Sequence, residues 1–305
     1  MRRPIFLLAL LFLVMAAGVW GPAVYRTVLL GSGFMAQTLC AGIFVSGREA
    51  KDVLAQELSG PRYELLRFFQ PAIDREQKSV SASAYGLGSR TSIFRDGLGC
   101  TLVIGTTEEA LRSEARGLFT DSRPAAADIL WPGGEKVDLA APPNGVDAAA
   151  LNDAIDAIFS EPDPKRPRRT RALVVVYKGR IVAERYAEGF HADTPQVGWS
   201  MSKTATNALT GLRVADGKLA ITENALMPEW RDSNDSRRAI TLDDLLRMTS
   251  GLRFDETYSS DLSDVTQMLF VQGNAAAYAA RKPLVHPPGT SWYYSSGSTN
   301  IVASV

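Results

Sequence analysis

The chain has 305 residues, of which 46% are hydrophobic and 22% charged, the composition of a folded globular protein with room for one large domain or two smaller ones. Lys plus Arg and Asp plus Glu both total 33, and this balance argues against a nucleic-acid partner, which requires a basic excess. With two His, at positions 191 and 286, and two Cys, neither a His-rich metal site nor a cysteine zinc site is expected.

Arg2 and Arg3 precede an apolar run, Ile5 to Trp20, that continues through Tyr25, and no acidic residue appears before Glu49. A basic start followed by an apolar core is an export signal. Residues 1–25 read as a signal anchor or a cleaved signal peptide. Extended through Tyr25, the run is long enough for a membrane span, while Ala16, Ala17, Gly18, Gly21 and Ala23 permit cleavage. Either way the rest of the chain faces the periplasmic or extracellular side, where disulfides persist. Cys40 and Cys100 are then expected to pair.

Residues 26–120 read as a small mixed region. Ala41–Val45, Ser79–Tyr85 and Cys100–Ile104 look like strands, and Glu49–Leu58 has helical spacing with Ser46 as a possible cap. Residues 121–146 are rich in Pro and Gly and read as a linker. From Asp147 to Phe159, Leu151, Ile155 and Ile158 form one stripe of an amphipathic helix. Ala172–Tyr177 and Arg180–Tyr186 flank Lys178-Gly179, a hairpin signal, because Gly supplies the positive φ of a tight turn. Met201–Leu219 reads as a helix with Ala205, Leu209, Leu212 and Val214 on its apolar stripe and Gly217 at its end. Thr241–Met248 reads as a second, short helix capped by Thr241.

Ser200-Met201-Ser202-Lys203 sets a hydroxyl and an amine three residues apart at the expected start of the longer helix, hence on one face. A serine hydroxyl is a weak nucleophile until a base removes its proton. A lysine is such a base only in its neutral form, which burial or neighbouring cations favour. The helix N-terminus adds partial positive charge where negative charge would develop. Alone, an S-x-x-K tetrapeptide arises by chance about once in a chain of this length. Here it stands in Gly198-Trp199-Ser200-Met201-Ser202-Lys203-Thr204, behind a hairpin and ahead of three further segments. These are Val214-Ala-Asp-Gly-Lys-Leu219, Ile240-Thr-Leu-Asp-Asp-Leu-Leu-Arg-Met-Thr-Ser-Gly-Leu252 and Pro288-Gly-Thr-Ser-Trp-Tyr-Tyr-Ser-Ser-Gly297. In order and spacing, this series resembles the serine β-lactamase and penicillin-binding-protein superfamily. The resemblance is to the branch of class C β-lactamases, related esterases and 6-aminohexanoate-dimer hydrolases, and it runs from about Thr170 onward.

The resemblance implies an α+β fold, an antiparallel sheet flanked by helices plus a helical part, with residues 147–305 as the N-terminal part of the hydrolase domain. It implies Ser200 as nucleophile, Lys203 as its base and Tyr294 as a proton shuttle. The substrate would be a small-molecule or short-peptide ester or amide, turned over through an acyl-enzyme without metal or cofactor. Tyr294-Ser295-Ser296 matches the family's Tyr-x-Asn except that Ser296 replaces the Asn that helps hold the substrate in β-lactamases. Ser296 is the expected substrate-binding position, and the change favours an esterase or amidase over a β-lactamase. The family's third motif, Lys- or His-[Ser/Thr]-Gly, has no counterpart after Tyr294. The resemblance therefore implies a domain incomplete at its C-terminus, lacking one oxyanion donor, and no turnover by this chain as it stands. The alternative function is a membrane-tethered, non-catalytic relative that binds a peptide or cell-wall ligand.

Overall fold

The structure is a computed structural model that describes residues 2–114, 126–139, 143–258 and 262–305, with side chains from residue 21 onward. Parts of the expected linker, 121–125 and 140–142, and the leader side chains through residue 20 lie outside the described residues. The architecture is α+β, helices with antiparallel sheets, and the chain divides into two compact units. One comprises residues 1–116 and 197–305, the other residues 117–196.

The first unit opens with a single helix, α1 (Arg2–Cys40), which continues as a π-helical turn, Ala41–Val45. The strand expected at Ala41–Val45 is therefore absent. Gly42 and Ile43 are buried, and a Cβ on Gly42 would meet Val53 at 2.6 Å, so close packing on α2 (Ala50–Glu57) overrides the β-propensity of Ile-Phe-Val. Ser46 ends the π-helical turn through its backbone N–H on the Ala41 carbonyl, and the N-cap of α2 is Glu49. Four strands follow as an antiparallel meander: β1 (Phe69–Asp74), β2 (Ser79–Ala84), β3 (Leu87–Arg95) and β4 (Gly99–Leu102). Tyr85 and Gly86, both at positive φ, make the two-residue turn between β2 and β3.

The C-terminal part of α1 covers this sheet. Met35, Ala36, Leu39 and Cys40 pack with Val53, Val80 and Ala82 in one core. Gln37 is the polar bolt: its amide donates to the Cys100 carbonyl at 2.9 Å and accepts from the Ser92 hydroxyl at 2.7 Å. Cys40 and Cys100 are disulfide-bonded, with Cα atoms 6.0 Å apart, which ties the end of α1 to β4. The bond closes a loop with a sequence separation of 60. In the loop-entropy account a loop of that size restricts the unfolded chain by about 4 kcal/mol. Titration of the unreduced protein after denaturation is expected to find no free thiol. Two reactive thiols would contradict the pairing.

The stretch Gly21–Val45 is long and apolar enough to cross a membrane, but its C-terminal part, including Met35, Ala36, Leu39, Cys40 and Ile43, is buried within the protein. A helix that serves as a sheet's core cover passes the same test of length and composition. After the meander comes α3 (Glu108–Glu114).

The second unit holds α4 (Ala148–Phe159) and the hairpin β5 (Ala172–Tyr177) and β6 (Arg180–Tyr186). The Asp147 carboxylate caps α4 by accepting from the N–H groups of Ala149 and Ala150. The hairpin turns on Lys178 and Gly179, both at positive φ.

From residue 197 the chain returns to the first unit. It forms a 3-10 turn, Trp199–Met201, and then α5 (Ser202–Ala215), which closes on Gly217 at φ +67°. The N–H groups of Gly217 and Lys218 satisfy the carbonyls of Val214 and Arg213, the bond pair of a Schellman stop. The apolar stripe expected to face the core does not: Leu209 and Leu212 are both 62% exposed, and Thr210 is the buried residue of this helix. Then follow α6 (Leu242–Leu246), α7 (Asp264–Phe270), α8 (Ala275–Ala280) and α9 (Ser296–Val302). Thr241 and Asp244 form a reciprocal capping box on α6. These helices share a core built on Trp230, Ile240, Leu242, Leu245, Val265, Met268 and Ile301. The buried Trp230 indole donates to the Ala280 carbonyl.

Candidate active site

Three chain segments of the first unit meet at Ser200. The first is the 3-10 turn that carries it. Trp199, immediately before it, has φ +43°, a left-handed conformation that costs a bulky L-residue free energy and marks functional positions more often than others. The Ser202 hydroxyl donates to the Trp199 carbonyl at 2.8 Å and fastens this turn to α5.

The second segment brings Tyr294. Gly251 sits at φ +74° where a Cβ would lie 2.1 Å from the His286 carbonyl oxygen, so only glycine allows the two strands of chain to approach. The Gly251 carbonyl accepts from the N–H of Val285, and the Thr249 and Met248 carbonyls accept from Gly289 and Tyr293. The Met248–Gly251 turn thus holds the 285–293 segment and aims the residue after it at α5. The role of His286 here lies in its backbone.

The third segment is the start of α9. The Ser295 hydroxyl caps it on the N–H of Ser298, and Gly297 lets the helix lie against Phe254, whose ring a Cβ would meet at 2.7 Å.

The resulting geometry is compact. The Tyr294 hydroxyl donates to Ser200 Oγ at 2.7 Å, and Lys203 Nζ lies 3.2 Å from the same oxygen. Lys203 Nζ also lies 3.1 Å from Ser296 Oγ and 5.0 Å from the centre of the Tyr294 ring. Ser296 is buried, and its hydroxyl is engaged by Lys203 on one side and by the carboxylate of Glu256 on the other. Sequence reasoning missed Glu256. Nothing marks it in the sequence beyond its place a few residues after the Thr249-Ser250-Gly251 turn.

Aromatic rings stand close by. Trp199, 54% exposed, meets Tyr258 edge-on with centroids 6.0 Å apart. Burial and then the charge of Glu256 push the Tyr258 phenol above its usual range, against a hydrogen bond from Ser296 that works the other way.

A hydroxyl flanked within hydrogen-bond reach by an amine and a phenol has beside it two groups able to exchange a proton with it. Residues 155–305 match the model of the Beta-lactamase family, and this stretch of the chain belongs to that family, within the superfamily of serine β-lactamases and penicillin-binding proteins. Among solved structures, the "Putative 6-aminohexanoate-dimer hydrolase from Bacillus anthracis" aligns with 21% identity over 50% of this chain and 41% of that chain, at a TM-score of 0.39. The present chain thus spans less than half the length of that structure. No curated protein sequence matches the chain. The four-stranded meander precedes the matched stretch, which contains the hairpin of β5 and β6 and helices α5 to α9.

Proposed function

We propose that Ser200 is the nucleophile of a serine hydrolase that cleaves an ester or amide through an acyl-enzyme. The observation that carries this reading is the convergence of Tyr294 and Lys203 on Ser200 Oγ, at 2.7 and 3.2 Å. In the proposed reaction neutral Lys203 takes the hydroxyl proton as Oγ attacks the substrate carbonyl. The tetrahedral intermediate collapses to the Ser200 ester, and the leaving alcohol or amine takes a proton relayed through Tyr294. Water, activated by the same pair, then releases the acid and returns the proton to Ser200. The Ser200 backbone N–H is the proposed oxyanion donor. Ser296, where the family has Asn, supports an ester or amide substrate over a β-lactam. An activated-serine probe such as a fluorophosphonate should label the full chain, with the adduct mapped to Ser200. An unlabelled but folded protein that retains a peptide or cell-wall ligand would favour the non-catalytic alternative.

We propose further that the N-terminal segment delivers the protein to the membrane, with the remainder on the periplasmic or extracellular face. Two features support this: the apolar stretch behind Arg2 and Arg3, and the disulfide between Cys40 and Cys100. Ser32 to Cys40 are committed to the core over the sheet, so any spanning or cleaved segment lies before them. The intact mass of the membrane-fraction protein separates the two forms. Retention of residues 1–25 indicates an anchor, and their loss a signal peptide. A soluble, reduced, full-length product confined to the cytoplasm would refute export.

A further inference from the structure

We infer that Glu256 is a positioning residue for the Lys203 amine and acts through the hydroxyl of Ser296, an inference that rests on the proposed roles of Ser200 and Lys203. The carboxylate grips Ser296 twice. One oxygen accepts from its backbone N–H at 2.9 Å, and the other accepts from its hydroxyl. The same Ser296 oxygen lies 3.1 Å from Lys203 Nζ, and that amine lies 3.2 Å from Ser200 Oγ. A continuous series of polar contacts therefore runs from Glu256 through Ser296 and Lys203 to Ser200, and on to the Tyr294 hydroxyl.

A hydroxyl is short and rotates freely, so on its own it is a poor clamp for a lysine on a four-carbon stem. The carboxylate fixes the rotor. It accepts the Ser296 proton, which turns the hydroxyl's lone pairs towards the amine.

Glu256 is itself held from behind. The N–H of its neighbour Asp255 donates to the Asp264 carboxylate at 2.9 Å, and Asp264 is ion-paired with Lys282 and accepts from the Tyr278 hydroxyl. Burial raises the Asp264 pKa, but the bonds from Lys282, Asp255 and Tyr278 outweigh it and hold the carboxyl below its usual range. The segment that presents Glu256 is therefore anchored to the first turn of α7 by a group that stays ionised. With Ser296 at 6% exposure, the Glu256–Ser296 contact is shielded from competing water.

The test takes the intact enzyme, these 305 residues together with whatever sequence its gene adds to them, and compares it with Glu256→Gln, Ser296→Ala and the double variant. Gln is isosteric with Glu and Ser→Ala removes one buried oxygen, so folding is checked by thermal unfolding. If Glu256→Gln does not fold, Ser296→Ala decides. Two rates are read: steady-state hydrolysis of a nitrophenyl ester, and acylation of Lys203 in the native protein by acetic anhydride, followed by mass spectrometry. Each single variant should lower kcat about tenfold with KM within about twofold, and the double should lose no more than either single, because residues acting through one connection are not additive. Lys203 acylation should rise at least about threefold in each variant as the amine is released, and no further in the double. An unchanged Lys203 rate in a folded variant, or kcat losses that multiply, overturns the inference. An intact wild-type enzyme that hydrolyses no ester and takes up no fluorophosphonate contradicts the proposed catalysis, and the acylation rates then decide the positioning role by themselves.

Discussion

Ser200→Ala should abolish fluorophosphonate labelling, a loss of at least about 10³-fold, whereas Ser202→Ala should leave most of it. The two hydroxyls are two residues apart and both serines are exposed, so access does not separate them. Their partners do. Ser200 Oγ receives the Tyr294 hydroxyl and faces the Lys203 amine, while Ser202 Oγ donates to the Trp199 carbonyl and has no base beside it in that arrangement. A hydroxyl without a base is no better than solvent as a nucleophile. The labelled site is read by mass spectrometry on proteins with matched unfolding midpoints. Equal labelling of wild type and Ser200→Ala would remove Ser200 from the reaction.

Much of this site is legible in the sequence, because it is local. The three-residue spacing of Ser200 and Lys203 is a property of a helix start and needs no long-range information. The Lys178-Gly179 turn, the Asp147 and Thr241 caps and the Gly217 stop are likewise written in a few adjacent residues. What escapes is what tertiary packing decides. Ile43-Phe44-Val45 has strand composition, yet it continues a helix, because Gly42 allows Val53 to press against the backbone. The strand Leu87–Arg95 has no clean alternation of apolar and polar residues, and it forms by pairing with the strands on either side of it. Glu256 matters only because α9 begins opposite it, forty residues further along the chain.

The N-terminal region, to which the sequence assigns no role, is built against the same helices that support the site. Phe34 on α1 stacks on Tyr63 and meets Phe270 at the end of α7 edge-on, at centroid distances of 5.5 and 5.4 Å. Gly33 is the close point, where a Cβ would lie 2.6 Å from the Phe270 carbonyl oxygen. Gly273 approaches the Ile104 carbonyl in the same way, and Arg62 donates to the carbonyl of Tyr258, two residues beyond Glu256. Glycines and aromatic rings on both surfaces make this a packed interface rather than a tether. The covering helix α1 therefore packs on α7, while Asp264 on the first turn of α7 holds the segment that carries Glu256.

In the intact enzyme, Lys203→Ala and Tyr294→Phe should each lower ester hydrolysis by about 10²-fold or more, the usual scale for a general acid–base group. They remove different things. Tyr294→Phe keeps the ring beside the Lys203 amine, at 5.0 Å, and deletes only the oxygen 2.7 Å from Ser200, so its effect should fall on kcat, with the amine still in place. Lys203→Ala removes the contacts to both Ser200 and Ser296, and leaves the Glu256–Ser296 pair intact but disconnected from the nucleophile. Lys203→Arg separates charge from basicity. Its guanidinium keeps a cation and several donors near Ser200, yet stays protonated at any working pH and cannot take the hydroxyl proton. Arg should therefore fail to rescue the Ala variant. If Lys203→Arg instead retained wild-type turnover, the amine would be acting as a fixed positive charge, and the proton of Ser200 would have to leave through Tyr294.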